Sequence, residues 1–231
     1  MTASKLLYIG LINCIAYLPA EQAKVTGNNQ AVDNIYSLCF EPVTKEVFVS
    51  AKRAYVEKLF QDTLSIKKQN GQLKLPLSSG ISTYKIFQDA INGSEDVGKR
   101  EYFYLGHFKE IDFYAVSVVL WEHYEVLLID KKSGNQYFIW SVPRLSPNNK
   151  IIASILPFGL EGEPVGIQIL SIDKTNYPQL EKIIEINQQI WNPIDFVWEN
   201  NNSIILEVTP LADPSKGNNE VIFSYVRLRI N

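Results

Sequence analysis

Two cysteines and two histidines are all that 231 residues offer for soft-metal or thiol chemistry. A zinc centre needs three or four Cys, His or carboxylate ligands, and no H-x-x-x-H or C-x-x-C spacing groups them here. His107 follows Gly106, and His123 sits in Trp121-Glu122-His123-Tyr124 at an expected strand end. Both read as surface or strand-end residues, and neither a metal nor a cofactor is expected. A P-loop, a G-x-G-x-x-G fingerprint and a G-x-S-x-G nucleophile elbow are all missing. Cys39, between Leu38 and Phe40, reads as a small buried hydrophobe. Pairing it with His107 or His123 lacks the Gly-rich or helix-opening setting that lowers a thiol pKa. With Cys14 retained, a Cys14–Cys39 bridge stays open.

Basic charge is also missing. Twenty-two Lys and Arg face 25 Asp and Glu, a net charge of −3, with a pI near 5.5. That leaves no electrostatic footprint for nucleic acid. The pairs Lys52-Arg53, Lys67-Lys68 and Lys131-Lys132 lie beside expected turns or strand edges, where charge keeps edges soluble. No apolar run reaches the ~20 residues of a membrane-spanning helix.

What is present is apolar, aromatic and β-like. Hydrophobic residues make up 46% of the chain, enough for a substantial core. Twelve Tyr and eleven Phe, with many Ile and Val, favour strands. At the N-terminus Lys5 precedes Leu6-Leu7-Tyr8-Ile9-Gly10-Leu11-Ile12, and small residues follow at Ala16, Ala20 and Ala23. This fits a secretory leader over 1–23, then a polar linker over 24–34. Export to the periplasm or beyond is the resulting expectation. Asn13 before Cys14 suits a lipobox poorly, so no lipid anchor is expected.

From residue 35 onward a single all-β domain is expected. Tyr36, Leu38 and Phe40 alternate, Val47-Phe48-Val49 reads as a short strand, and 51–60 suits helix or strand equally. Asn70-Gly71 should turn a hairpin between Thr63–Ile66 and Leu73–Leu77, because a type I′ turn needs positive φ at both central residues. Strands are expected at Tyr102–Leu105, Phe113–Trp121, Glu125–Ile129, Tyr137–Trp140 and Ile151–Ile155. Asp130 and Asp173 sit where a side chain caps a turn.

Ile139-Trp140-Ser141-Val142-Pro143, later Asn148-Asn149-Lys150-Ile151-Ile152, echoes Ile190-Trp191-Asn192-Pro193, later Asn201-Asn202-Ser203-Ile204-Ile205. The offset near 50 suits a four-stranded propeller blade. Together with Ser146-Pro147-Asn148-Asn149-Lys150 before an apolar strand, this grammar resembles the repeats of TolB-like and WD-type β-propellers. The pieces Leu64–Leu75, Tyr102–Val116 and Tyr124–Ser154 are similar to a set of uncharacterised secreted bacterial proteins. The resemblance covers the chain from about Tyr102 and implies a propeller-like stack there. Four blades of ~45 residues already need about 180, and the N-terminal third shows no repeat. The expected fold is therefore all-β: antiparallel hairpins in an incomplete or small propeller-like stack, or a β-sandwich.

Chemistry is thin. Glu110 with Asp112, and Glu161 with Glu163, are carboxylate pairs in turns, where solvated charge is the ordinary role. The aromatics Trp121, Tyr124, Trp140, Trp191 and Trp198, with Tyr102 and Tyr104, are the candidate binding residues, although strand periodicity places most of them in a core. Recognition loops are expected at Asn92–Arg100, Phe158–Pro164 and Pro210–Asn219. These features favour a non-catalytic module that binds a protein in the bacterial envelope or outside the cell. A carbohydrate-binding module is one alternative. A hydrolase with a dispersed site is another, with Asp112, Glu122 and His123 as its residues.

Overall fold

The computed structural model describes residues 38–62, 64–78, 83–90, 98–121, 124–157, 164–173, 179–187, 191–210 and 224–230. The expected leader and linker lie outside them, as does Cys14. Within them the fold is all-β, with one helix. No helix among the described residues is long and apolar enough to cross a membrane.

Three antiparallel meanders carry the architecture. Strands β5 (Glu101–Phe108), β6 (Phe113–Val119), β7 (Tyr124–Asp130) and β8 (Gln136–Ile139) form the first, with the short β2 (Leu59–Phe60) on the β5 edge. The second runs β9 (Arg144–Leu145), β10 (Ile151–Leu156), β11 (Gly166–Asp173) and β12 (Gln179–Asn187) in spatial order. The third runs β13 (Trp191–Asn200), β14 (Ser203–Pro210) and β15 (Ser224–Ile230), and β1 (Leu38–Val43) completes it from the other end of the chain. A separate hairpin joins β3 (Gln72–Pro76) to β4 (Tyr84–Gln88). Among the described residues none of the sheets closes into a barrel.

Burial explains the stacking. Strand β6 is apolar on both faces, as a strand covered from both sides must be. Phe113 and Ala115 meet Leu145, Ile152 and Leu170 of the second sheet, while Tyr114, Val116 and Val118 meet Leu73, Leu75 and Phe87 of the hairpin. The second sheet's Ala153, Ile167 and Ile169 pack on Phe196, Leu206 and Leu228 of the third. Helix α1 (Lys45–Ala54) covers the far face of that third sheet. The layers therefore run hairpin, first, second and third sheet, helix.

Several local expectations are corrected. Val47-Phe48-Val49 is helical, because Phe48 and Ala51 are three residues apart and reach Val197 and Ile205 together. Glu46 in its first turn and Lys52-Arg53 in its last complement the helix dipole. The Asn70-Gly71 turn forms, with φ of 49° and 71° and both backbone bonds between Gln69 and Gln72. Its N-terminal arm does not extend to Leu64–Ile66. The Asp62 carboxylate draws Leu64 N–H and Ser65 N–H into a local turn, and β3 pairs with β4 instead. Cys39 is exposed rather than buried, since alternation along β1 turns Leu38 and Phe40 to the core and Cys39 outward.

Other turns match their expected chemistry. Asp130 is buried and accepts from the backbone N–H of Lys132 and Ser133 and from the Ser133 hydroxyl. Ser146 Oγ accepts from Lys150 and Ile151 N–H, with Asn149 at φ 60° closing the β9–β10 hairpin.

Trp191 and Trp198 are 2% and 1% exposed in the core between the second and third sheets. The two indoles differ in one respect. Trp198 Nε1–H donates to the Arg144 carbonyl at 2.9 Å, whereas Trp191 Nε1–H has no partner among the described residues. Replacing either by Phe loses ring volume, but only Trp198→Phe also strips a hydrogen bond from a carbonyl. Trp198→Phe is therefore expected to cost about 1 kcal/mol more than Trp191→Phe. Urea unfolding followed by far-UV circular dichroism checks this; equal losses would contradict it.

Candidate binding surface

Chain order brings certain ends of the three sheets together. Strand β8 passes to β9 through residues 140–143, and β12 passes to β13 through 188–190, so these strand ends are neighbours. Leu156 and Gly166 of the second sheet and Pro210 and Ser224 of the third end or begin their strands at that same end, and Glu101 begins β5 there opposite Val119. The opposite end has tighter links, such as 109–112 and 201–202.

The candidate aromatics separate along this division. Trp121 and Tyr124 flank the β6–β7 connection at the end where β8 passes to β9 and are 46% and 40% exposed. Burial of part of the Tyr124 ring pushes its phenol pKa up. Trp140 follows Ile139, which pairs with Val126 two residues from Tyr124, and so lies at the same end. It is half-buried, and its backbone N–H donates to Gln168 Oε1 at 3.2 Å. Val142, on the next turn of chain, is exposed. Trp191 and Trp198 are core residues and leave the list of surface candidates.

The candidates for a hydrolase are not brought together. Asp112 is exposed at φ 57° in the β5–β6 turn, and Glu110 shares that turn. Glu122 and His123 lie outside the described residues, as do Glu161 and Glu163. His107 is half-buried within β5, against Phe60 and Tyr114, with Nδ1 2.9 Å from the Tyr104 hydroxyl. Burial, then the charges of Lys131 and Lys109, lower its pKa. Among the described residues no group of three or more His, Cys, Asp or Glu could hold a metal ion.

A polar cluster that sequence reading missed lies where the first strands of the sheets converge. Residues 52–60 run across β13, β9 and β5 in turn. Lys52 pairs with Asp195 at 2.6 Å, and the Tyr55 hydroxyl donates to the Leu145 carbonyl at 3.1 Å. Lys58 Nζ donates to the carbonyls of Ser146 and Pro147 and to Asn149 Oδ1. Leu59 and Phe60 then pair with Phe108 and His107. Arg144 reaches Asp195 at 2.7 Å and lies over the Phe196 ring. Burial acts to raise the Asp195 carboxyl pKa, but Lys52 and Arg144 outweigh it and hold the group below its ordinary value. At Tyr55 burial and the charge of Glu57 push the phenol up. The cluster fastens one segment across three sheets. No local pattern announces it, since Lys52 and Asp195 are 143 residues apart.

Comparison with protein-family models, with curated proteins and with solved structures finds no match for this chain.

Proposed function

We propose that this chain is a non-catalytic binding module that takes a protein partner in a bacterial envelope or outside the cell. The observation that carries the reading is the exposure of Trp121 and Tyr124 at the end of the stack where β8 passes to β9 and β12 to β13. Large aromatic rings left half in water beside a sheet are the residue type that anchors protein interfaces. Loops on such a scaffold vary without disturbing it, which suits recognition. The edge-to-edge passage from β8 to β9 and from β12 to β13 supports the propeller-like reading of the stack. Export rests on the apolar stretch Leu6–Leu18 and the small residues after it.

The test is a C-terminally tagged full chain incubated with envelope extract, beside the double variant Trp121→Ala/Tyr124→Ala. One stoichiometric protein partner should be retained by the parent and bind at least about 30-fold more weakly to the variant, as loss of a ~2 kcal/mol hot spot implies. The melting temperature should stay unchanged. A partner held equally by both chains, or none on folded bait, would overturn the reading. Cell fractionation of the same tagged chain should find it outside the cytoplasm, and recovery from the cytoplasm alone would remove the export part.

A further inference from the structure

The hairpin β3–β4 buries Leu73, Leu75 and Phe87 on the first sheet and turns its other face outward. That outer face carries the cross-strand pairs Gln72–Gln88, Lys74–Ile86 and Pro76–Tyr84. The segment from Leu64 to Asn70 borders it, and the two line an open surface cleft of about 650 Å³. This is the size range of small-ligand sites.

The charged side chains of the lining are cationic. Lys67 and Lys74 line the cleft, and among the described residues no carboxylate lines it, the Asp62 carboxylate being engaged by Leu64 and Ser65 at its border. Neither lysine has an ion-pair partner among the described residues, so both ammonium groups are available to a ligand. The remaining polar lining is mostly amide, from Gln69, Asn70, Gln72 and Gln88. Two of these amides are oriented: Gln72 Nε2 donates to Gln88 Oε1 at 3.3 Å, and Gln88 Nε2 donates to the Gly71 carbonyl at 3.2 Å. Each amide has further donor and acceptor capacity for a ligand. Tyr84 adds an exposed ring opposite Pro76.

We propose that this cleft binds an acidic oligosaccharide, one whose sugars carry carboxylate or sulfate groups. The ammonium groups of Lys67 and Lys74 meet the anionic substituents. Amides, which both donate and accept, match hydroxyl groups that do the same. The Tyr84 ring with Pro76 offers a flat apolar surface to the C–H face of a sugar. An acidic peptide fits less well. Its carboxylates would meet the lysines, but a peptide brings few hydroxyl groups to the amides of Gln69, Asn70, Gln72 and Gln88. The proposal stands apart from the aromatic end of the stack and does not depend on it.

The test is calorimetric titration of the full chain at low salt with trigalacturonate, maltotriose and triglutamate. Trigalacturonate should bind, and maltotriose and triglutamate should bind at least about tenfold more weakly. Lys67→Gln/Lys74→Gln should weaken trigalacturonate about tenfold or more, the effect of losing one or two charge-assisted hydrogen bonds. Tyr84→Ala should weaken it as well, which keeps the test alive if the lysine variant melts early. Absence of trigalacturonate binding at millimolar concentration would overturn the proposal. So would equal binding of triglutamate, which assigns the cleft to acidic peptide, or unchanged affinity in folded variants.

Discussion

Gly106→Ala is expected to destabilise the protein by about 3 kcal/mol or more, a large share of the ~5–15 kcal/mol that holds a domain folded. Gly106 has φ of 147°, a backbone conformation side chains rarely adopt. A Cβ there would lie 2.7 Å from the Phe60 carbonyl oxygen and 3.1 Å from Leu59 Cδ1. The obstacle is backbone, so no rotamer change relieves it. The position also sits at the β5 bulge, where the register with β6 shifts between Tyr104 and Gly106. Strain of ~1–3 kcal/mol at the residue adds to loss of β2 pairing. Gly134→Ala is the comparison. Its φ of 72° is also positive, but the nearest atom to an added Cβ is the Leu77 side chain at 3.2 Å, which can give way. It should cost about 1 kcal/mol. Urea midpoints for the two variants check the order; a smaller loss at Gly106 would show that β2 yields freely.

Removing residues 1–43 should have the larger effect still, leaving the chain without a cooperative melt. Six residues of β1 pair in register with β15, from Leu38 opposite Ile230 to Val43 opposite Tyr225. Without them β15 becomes an unpaired edge, a template for aggregation. Leu38 and Phe40 are lost from the core between the second and third sheets, and Phe40 with them leaves the edge of the Trp191 ring. Arg227 also loses one of its two carboxylate partners, Glu41, keeping Glu199 at 2.6 Å. Burying that apolar area is worth several kcal/mol by area alone. Calorimetry reads the outcome directly, and a sharp transition near the parent's would show that three strands suffice.

The strands from Tyr102 to Ile155 were legible because alternation and turn chemistry agree there. Asp130 and Ser146 each satisfy nearby backbone groups from within their own turn, and local satisfaction leaves a local signature. Val47-Phe48-Val49 misled because three adjacent apolar residues fit either period, and only the third sheet decides between them. The Asn70-Gly71 turn was read correctly and its partner strand was not. Turn geometry follows from two residues, whereas the choice of β4 depends on what Tyr114 and Val116 need covered. The addition of β1 to β15 and the fastening of residues 52–60 link positions far apart in the chain, for which single-sequence patterns carry no information. Among the aromatics, composition identified the residues but not their sides. Trp121 and Trp198 look alike in sequence, and only the stack separates them.

The pairing of β1 with β15 also sets an order of events during synthesis. The first described strand has no partner until residues 224–230 have been made. Closing a loop of that span is entropically slow compared with forming the meanders between. A nascent chain therefore holds Leu38 and Phe40 uncovered until β15 has been made. The meanders can form in that interval, so the third sheet is the last of the layers to be completed.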